Sequence, residues 1–198
     1  MDGICYLVCA GKSAPLSFAP AAGDLVVAVD GGLTYLEEAG IKPDIALGDF
    51  DSLGRVPGGP EVVRLDSVKD DTDTYAAARL GLERGYRRFR LCCALGGRLS
   101  HTIANIQTLA MLYRSGAEAY IEDGGTKIFV FGKSASFEPG GYLSLFPVGE
   151  CARARISGCK YSGMFTFTSS DSLGVSNEPQ RGALVEVLSG ELVAVIEK

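Results

Sequence analysis

The sequence predicts an α/β fold, an N-terminal mostly parallel α/β sheet domain followed by a C-terminal all-β domain, a sandwich or partial barrel. Three observations carry that prediction. Over residues 1–124, apolar runs of strand length alternate with amphipathic segments of helix length. Over residues 125–198 only short strand-type segments remain, broken by Gly, Pro and Ser. The chemistry-bearing clusters of the first domain each follow a predicted strand, where open α/β sheets bind their ligands.

The elements follow in order. Ile4–Cys9 is an apolar strand leading into a Gly-Lys-Ser loop, and Leu25–Val29 is a second strand ending at Asp30-Gly31-Gly32. A helix follows with Leu33, Leu36 and Ala39 on one face, closed by Gly40 and Pro43. Ile45–Leu47 and Val62–Leu65 are strands that run into two acidic clusters. Thr72 or its neighbour caps a helix that extends to Arg84 and stops at Gly85. Phe89–Ala94 is a strand, Thr102–Ser115 a longer helix, and Ala119–Glu122 the last strand of the domain. Beyond Asp123-Gly124-Gly125 the strands are Lys127–Phe131, Tyr142–Phe146, Ala152–Ile156, Met164–Thr168, Ala183–Leu188 and Leu192–Ile196. Ser189-Gly190 predicts a hairpin turn joining the last two. The β domain is near the lower size limit for an independent core.

Composition narrows the partners. The chain of 198 residues is 46% hydrophobic and 22% charged, an ordinary globular balance. A net charge of −5 argues against a nucleic-acid footprint and against an anionic membrane surface. The longest apolar runs fall short of a membrane span, and the N-terminus lacks a basic n-region and cleavage site, so a cytoplasmic protein is expected. The six cysteines form no C-x-x-C pair, which speaks for reduced buried thiols rather than a zinc site. With His101 as the one histidine, a histidine-based metal cluster is excluded.

The aspartates carry the strongest signal. Eight of twelve lie between Asp30 and Asp73, five of them in the clusters Gly48-Asp49-Phe50-Asp51-Ser52 and Lys69-Asp70-Asp71-Thr72-Asp73. Crowded carboxylates repel, and a shared hard cation relieves the repulsion. Mg²⁺ held by a few carboxylates usually also takes substrate phosphates. Asp49 and Asp51 can converge at a strand end, and Asp70 and Asp73 are spaced to share a face of a first helical turn. Asp71 is explained by the helix dipole alone. Lys69 and Arg98 supply phosphate-binding charge. The Gly96-Gly97-Arg98 turn before a helix offers backbone N–H donors to phosphate, with His101 just inside that helix. Gly11-Lys12-Ser13 lacks the upstream glycine of a P-loop and is read as a loop beside a nucleotide site.

Taken together these pieces resemble the thiamin pyrophosphokinase family. The matching segments are Asp30-Gly31-Gly32, Pro43 through Ser52, Lys69 through Asp73, and Gly96 through His101 with Ala104-Asn105-Ile106 behind. In the β domain, Gly158-Cys159-Lys160-Tyr161 and Val175-Ser176-Asn177-Glu178 also match. The resemblance implies an ATP- and Mg²⁺-binding domain over residues 1–124 and a thiamin-binding β domain over 125–198. It also implies a homodimer and transfer of the diphosphoryl group of ATP to the thiamin hydroxyl, leaving AMP. Asp49, Asp51, Asp70 and Asp73 would hold Mg²⁺, with Asp70, Asp73, Lys69 and Arg98 in the chemistry. Asp30, Gly31, Gly32, Gly96, Gly97, Arg98, His101 and Asn105 would serve the nucleotide site. Ser176, Asn177 and Tyr161 would meet thiamin, the aromatic ring lying against its cationic heterocycle. Where the family carries an acid before the histidine, this chain has Ser100. Two rivals share the fold: a pyrophosphokinase acting on a pterin alcohol, and an inactive thiamin- or nucleotide-binding module.

Overall fold

The computed structural model describes residues 2–12, 15–16, 18–50, 58–66 and 70–198. They form two compact units, Met1–Gly124 and Gly125–Lys198.

The first unit is built on six strands, β1 (Cys5–Val8), β2 (Leu25–Val29), β3 (Ile45–Gly48), β4 (Glu61–Arg64), β5 (Arg88–Cys92) and β6 (Glu118–Asp123). Their spatial order is β4-β3-β2-β1-β5-β6, and every adjacent pair is parallel. β1, β2 and β3 are wholly buried, as expected of strands covered on both faces. Alternation along β1 divides its side chains between the faces. Tyr6 and Val8 join Val26, Ala28 and Ala46 beneath Leu33 and Leu36 of α1 (Gly32–Glu38). Cys5 faces the opposite way, towards Gly81 of α2 (Asp73–Glu83). α3 (Leu99–Arg114) precedes β6. The chain leaves β1 for β2 on one side and later returns to β5 on the other. The strand order therefore reverses between β1 and β5, opening a crevice at their carboxyl ends.

Local chemistry sets the helix ends. Thr72 Oγ1 accepts the Tyr75 N–H at 3.2 Å and caps α2. Gly85 follows with φ of 88°, a left-handed stop that a side chain would strain. α3 begins at Leu99, three residues before the predicted Thr102, so Arg98 is its N-cap and the Gly96-Gly97 turn abuts the helix directly.

The second unit has seven strands, β7 (Thr126–Phe131), β8 (Ser134–Phe137), β9 (Tyr142–Pro147), β10 (Cys151–Cys159), β11 (Gly163–Thr168), β12 (Pro179–Ser189) and β13 (Leu192–Glu197). Here β13 pairs antiparallel with β7 and β9, while β11-β10-β12-β8 form a separate antiparallel sheet. One core joins both sheets, with Phe131, Leu143, Leu145, Leu192 and Ala194 from the first and Phe137, Ala154, Phe167 and Val185 from the second. Two expectations are corrected. The Ser189-Gly190 turn makes no hairpin, because β12 and β13 belong to different sheets and the turn carries the chain across the sandwich. Gly190 is required there, since a Cβ would lie 2.6 Å from the Cys151 carbonyl oxygen. β8 is an additional strand. Its Ser134-Ala135-Ser136-Phe137 sequence is too polar to signal a strand, and it is held by pairing with β12.

Candidate functional site

The carboxyl ends of β1, β2, β3 and β5 and the first turns of α2 and α3 surround one cavity of about 710 Å³. Asp30 and Asp49 enter from the ends of β2 and β3, and Asp71, Thr72 and Asp73 from the start of α2. Gly96, Gly97 and Arg98 form the turn into α3, which adds His101 and Asn105. The sequence placed these segments at one sheet edge, and the fold brings them together there.

Each side chain is set by its local backbone. Asp30 has φ of 48°, and its N–H donates to the Leu47 carbonyl at 2.8 Å, tying the end of β2 to β3. Gly48 presses against it, for a Cβ there would lie 3.1 Å from Asp30 Cα, which brings Asp30 close to Asp49. Phe50, also left-handed with φ of 62°, is buried under the sheet. Asp73 is the first residue of α2, where the helix dipole favours its charge. The Arg98 guanidinium contacts Nε2 of His101 one turn along α3. Asn105 is buried and donates from Nδ2 to the Ala94 carbonyl at 2.8 Å, fixing the loop after β5 to α3.

Several expected residues stand apart from the cavity wall. Asp70 is exposed and does not line it. Gly31 and Gly32 open α1 without facing the cavity, and packing accounts for Gly32, whose Cβ would lie 1.9 Å from the Val8 carbonyl oxygen. Ser100 is exposed in the first turn of α3. Asp51 and Lys69 lie outside the described residues, as does Ser52. Among the described residues, no group of three or more carboxylate, histidine or cysteine side chains is close enough to hold a metal ion.

The structure adds residues that the acidic clusters did not suggest. Asp71 lines the cavity and pairs with Arg79 at 3.8 Å, so it is more than a helix-end charge. Cys9 lies in the wall, its thiol 3.5 Å from Thr74 Oγ1. Burial pushes that thiol up to about 12, against a lowering by the Thr74 contact. Gly11 and Lys12 also line the cavity. The Gly-Lys-Ser tripeptide was the available signal for them, weakened because no P-loop pattern surrounds it.

In the second unit Ser176, Asn177 and Tyr161 do come together. The Asn177 side chain is committed to the backbone of the 159–162 turn. Its Oδ1 accepts the Tyr161 N–H at 3.0 Å and the Glu178 N–H at 2.9 Å, and its Nδ2 donates to the Tyr161 carbonyl at 2.8 Å. Ser176 adopts φ of 56°, and its N–H donates to Ser144 Oγ at 3.0 Å. The Tyr161 ring is 57% exposed, with the Lys160 ammonium 5.7 Å from its centroid and drawn to Glu178 at 2.6 Å.

Fold and cavity thus define a class: an α/β unit that presents carboxylates, a glycine turn and helix N-termini at the carboxyl edge of a parallel sheet, joined to a β-sandwich. A family model described as thiamin pyrophosphokinase, catalytic domain, matches residues 21–121, just over half of the chain, and the chain belongs to that family. The fold is that of a solved thiamine pyrophosphokinase from Bacillus subtilis, with a TM-score of 0.86 at 24% identity over 98% of this chain and 99% of that one. A thiamin pyrophosphokinase from Geobacillus thermodenitrificans is 26% identical with a TM-score of 0.82, covering 98% and 97%. The Candida albicans thiamin pyrophosphokinase keeps a TM-score of 0.77 at 16% identity, covering 99% and 89%. No curated protein matches the chain. Among the described residues, no helix is long and apolar enough to cross a membrane.

Proposed function

We propose that the chain transfers the diphosphoryl group of ATP to the hydroxyl of thiamin, yielding thiamin diphosphate and AMP. The observation that carries this reading is the acidic cavity at the carboxyl edge of the parallel sheet in a chain of this family. Oxygen donors are the chemistry a hard cation takes, and Asp30, Asp49 and Asp73 line one cavity, although no three side chains among the described residues lie close enough to hold an ion by themselves. Asp49, Asp73 and Asp51 would hold Mg²⁺, with Asp70 nearby in sequence and Asp30 in support, and two or three protein carboxylates suffice when substrate phosphates complete the shell. When bound, the ion offsets phosphate charge.

The chain's own residues position the reactants. The Gly96-Gly97 backbone and the N-terminus of α3 take phosphate oxygens, and Arg98 and Lys69 offset charge on the departing AMP. The thiamin oxygen attacks the β-phosphorus, the bond from that phosphorus to the α,β-bridging oxygen breaks, and the hydroxyl proton passes to a carboxylate. Asp73 suits that role better than Asp70, because it lines the cavity. Ser176, Asn177 and Tyr161 supply the thiamin contacts, Asn177 chiefly by shaping the Tyr161 turn.

Mass spectrometry of products from thiamin, ATP and Mg²⁺ tests the reading, with a pterin alcohol as the control acceptor. Equal amounts of thiamin diphosphate and AMP are expected. Thiamin monophosphate with ADP, or turnover of the pterin alone, would overturn it. Asp73→Asn is expected to lower turnover by on the order of 100-fold while the fold is retained, as judged by circular dichroism.

A further inference from the structure

The loop after β1 carries a cation for which neither the acidic clusters nor the family match accounts. Lys12 lines the cavity, lies outside the matched residues 21–121, and makes no ion pair among the described residues. This isolation is informative, because the same cavity presents Asp30, Asp49, Asp71 and Asp73. Arg98, the other Lys or Arg among the described lining residues, contacts His101 one turn along its own helix.

The backbone of Lys12 is held firmly. The Gly11 N–H donates to the Cys93 carbonyl at 2.8 Å, and Tyr35 Oη donates to the Gly11 carbonyl at 2.7 Å. Contact between the loops is so close that a Cβ on Gly11 would lie 2.2 Å from the Leu95 carbonyl oxygen, and one on Gly96 2.5 Å from the Lys12 carbonyl oxygen. The loops after β1 and β5 are thus clasped through glycine backbone where the strand order reverses. That clasp places Lys12 beside the Gly96-Gly97 turn and leaves its side chain exposed.

We infer that Lys12 binds the polyphosphate chain of the nucleotide and sets preference for a triphosphate over an uncharged nucleoside. The inference rests on the diphosphoryl-transfer reading and adds a residue to it. A lysine ammonium acts on phosphate as a point charge from a long stem, which suits a rim position.

Lys12→Ala and Lys12→Arg in the full chain, titrated calorimetrically with ATP and with adenosine in Mg²⁺ buffer, test it. Lys12→Ala is expected to weaken ATP binding about tenfold, to leave adenosine binding and the KM for thiamin unchanged, and to lose its difference from the parent chain as salt rises. Lys12→Arg is expected to retain most of the ATP affinity. Equal ATP affinity in Lys12→Ala and a parent chain that makes AMP would overturn the inference alone. A parent chain that neither binds ATP nor makes AMP would overturn the function reading and the inference together.

Discussion

At the scale of single residues, burial decides which groups are reactive. Cys5, Cys9 and Cys92 are buried, and desolvation pushes each thiol from the ordinary 9.0 up to about 12. Thiolates are the reactive form, so these cysteines are inert near neutral pH although Cys9 lies in the cavity wall. Iodoacetamide is expected to modify the exposed Cys151 first, and peptide mapping should find Cys9 unlabelled until the chain unfolds. The same thiols make stability pH-dependent. The unfolded chain loses these protons from near 9.0, whereas the folded chain holds them to about 12. Stability is therefore fully present below that lower value and declines as pH rises through the interval. A urea midpoint lower at about pH 10.5 than at about pH 8 checks the sign, and Cys9→Ala should flatten the decline. The carboxylates were legible in sequence because charge crowding is visible without a fold. Lys12 was weaker as a signal, because its meaning depends on a contact with Gly96 that lies far along the chain.

At the scale of elements, strands and helices with strong apolar patterns were legible to within a few residues, and the exceptions have physical causes. β8 carries little apolar pattern and exists through its pairing with β12. The turn at Ser189-Gly190 has hairpin chemistry, but core packing sends β13 to the other sheet. Two variants test how elements are joined. Gly32→Ala drives a methyl into the Val8 carbonyl, and because the obstacle is backbone, α1 must shift. A loss of about 1–3 kcal/mol is expected by urea denaturation. Asn177→Ala leaves the Tyr161 and Glu178 N–H groups without their acceptor and loosens the turn that presents Tyr161. A loss of about 1–3 kcal/mol is expected, together with a raised KM for thiamin and an unchanged KM for ATP.

At the scale of the whole molecule, the order of the loops along the chain was the legible feature, because a parallel sheet delivers strand ends to one edge. Which residues of each loop face the cavity was not legible, as Asp70 and Asp71 show: sequence spacing favoured the first, and the wall contains the second. The second unit exposes Tyr142, Phe146, Leu173 and Val175, with Tyr142 and Phe146 spaced to share one face of β9. Covering such apolar surface is a common reason to associate, so light scattering is expected to give twice the chain mass of 20.8 kDa. Among the described residues, four non-glycine residues have left-handed backbone: Asp30, Phe50, Cys93 and Ser176. Two of them are proposed site residues, one sits beside Asp49, and one anchors the Lys12 loop. A redesign that relieved backbone strain would write glycine at Asp30 and Ser176 and erase two proposed site residues, whereas glycine at Phe50 or Cys93 would empty part of the core they fill. Strain held at a polar residue, where relief would cost no packing, is thus a better guide to what the protein must keep than the rigidity of its core.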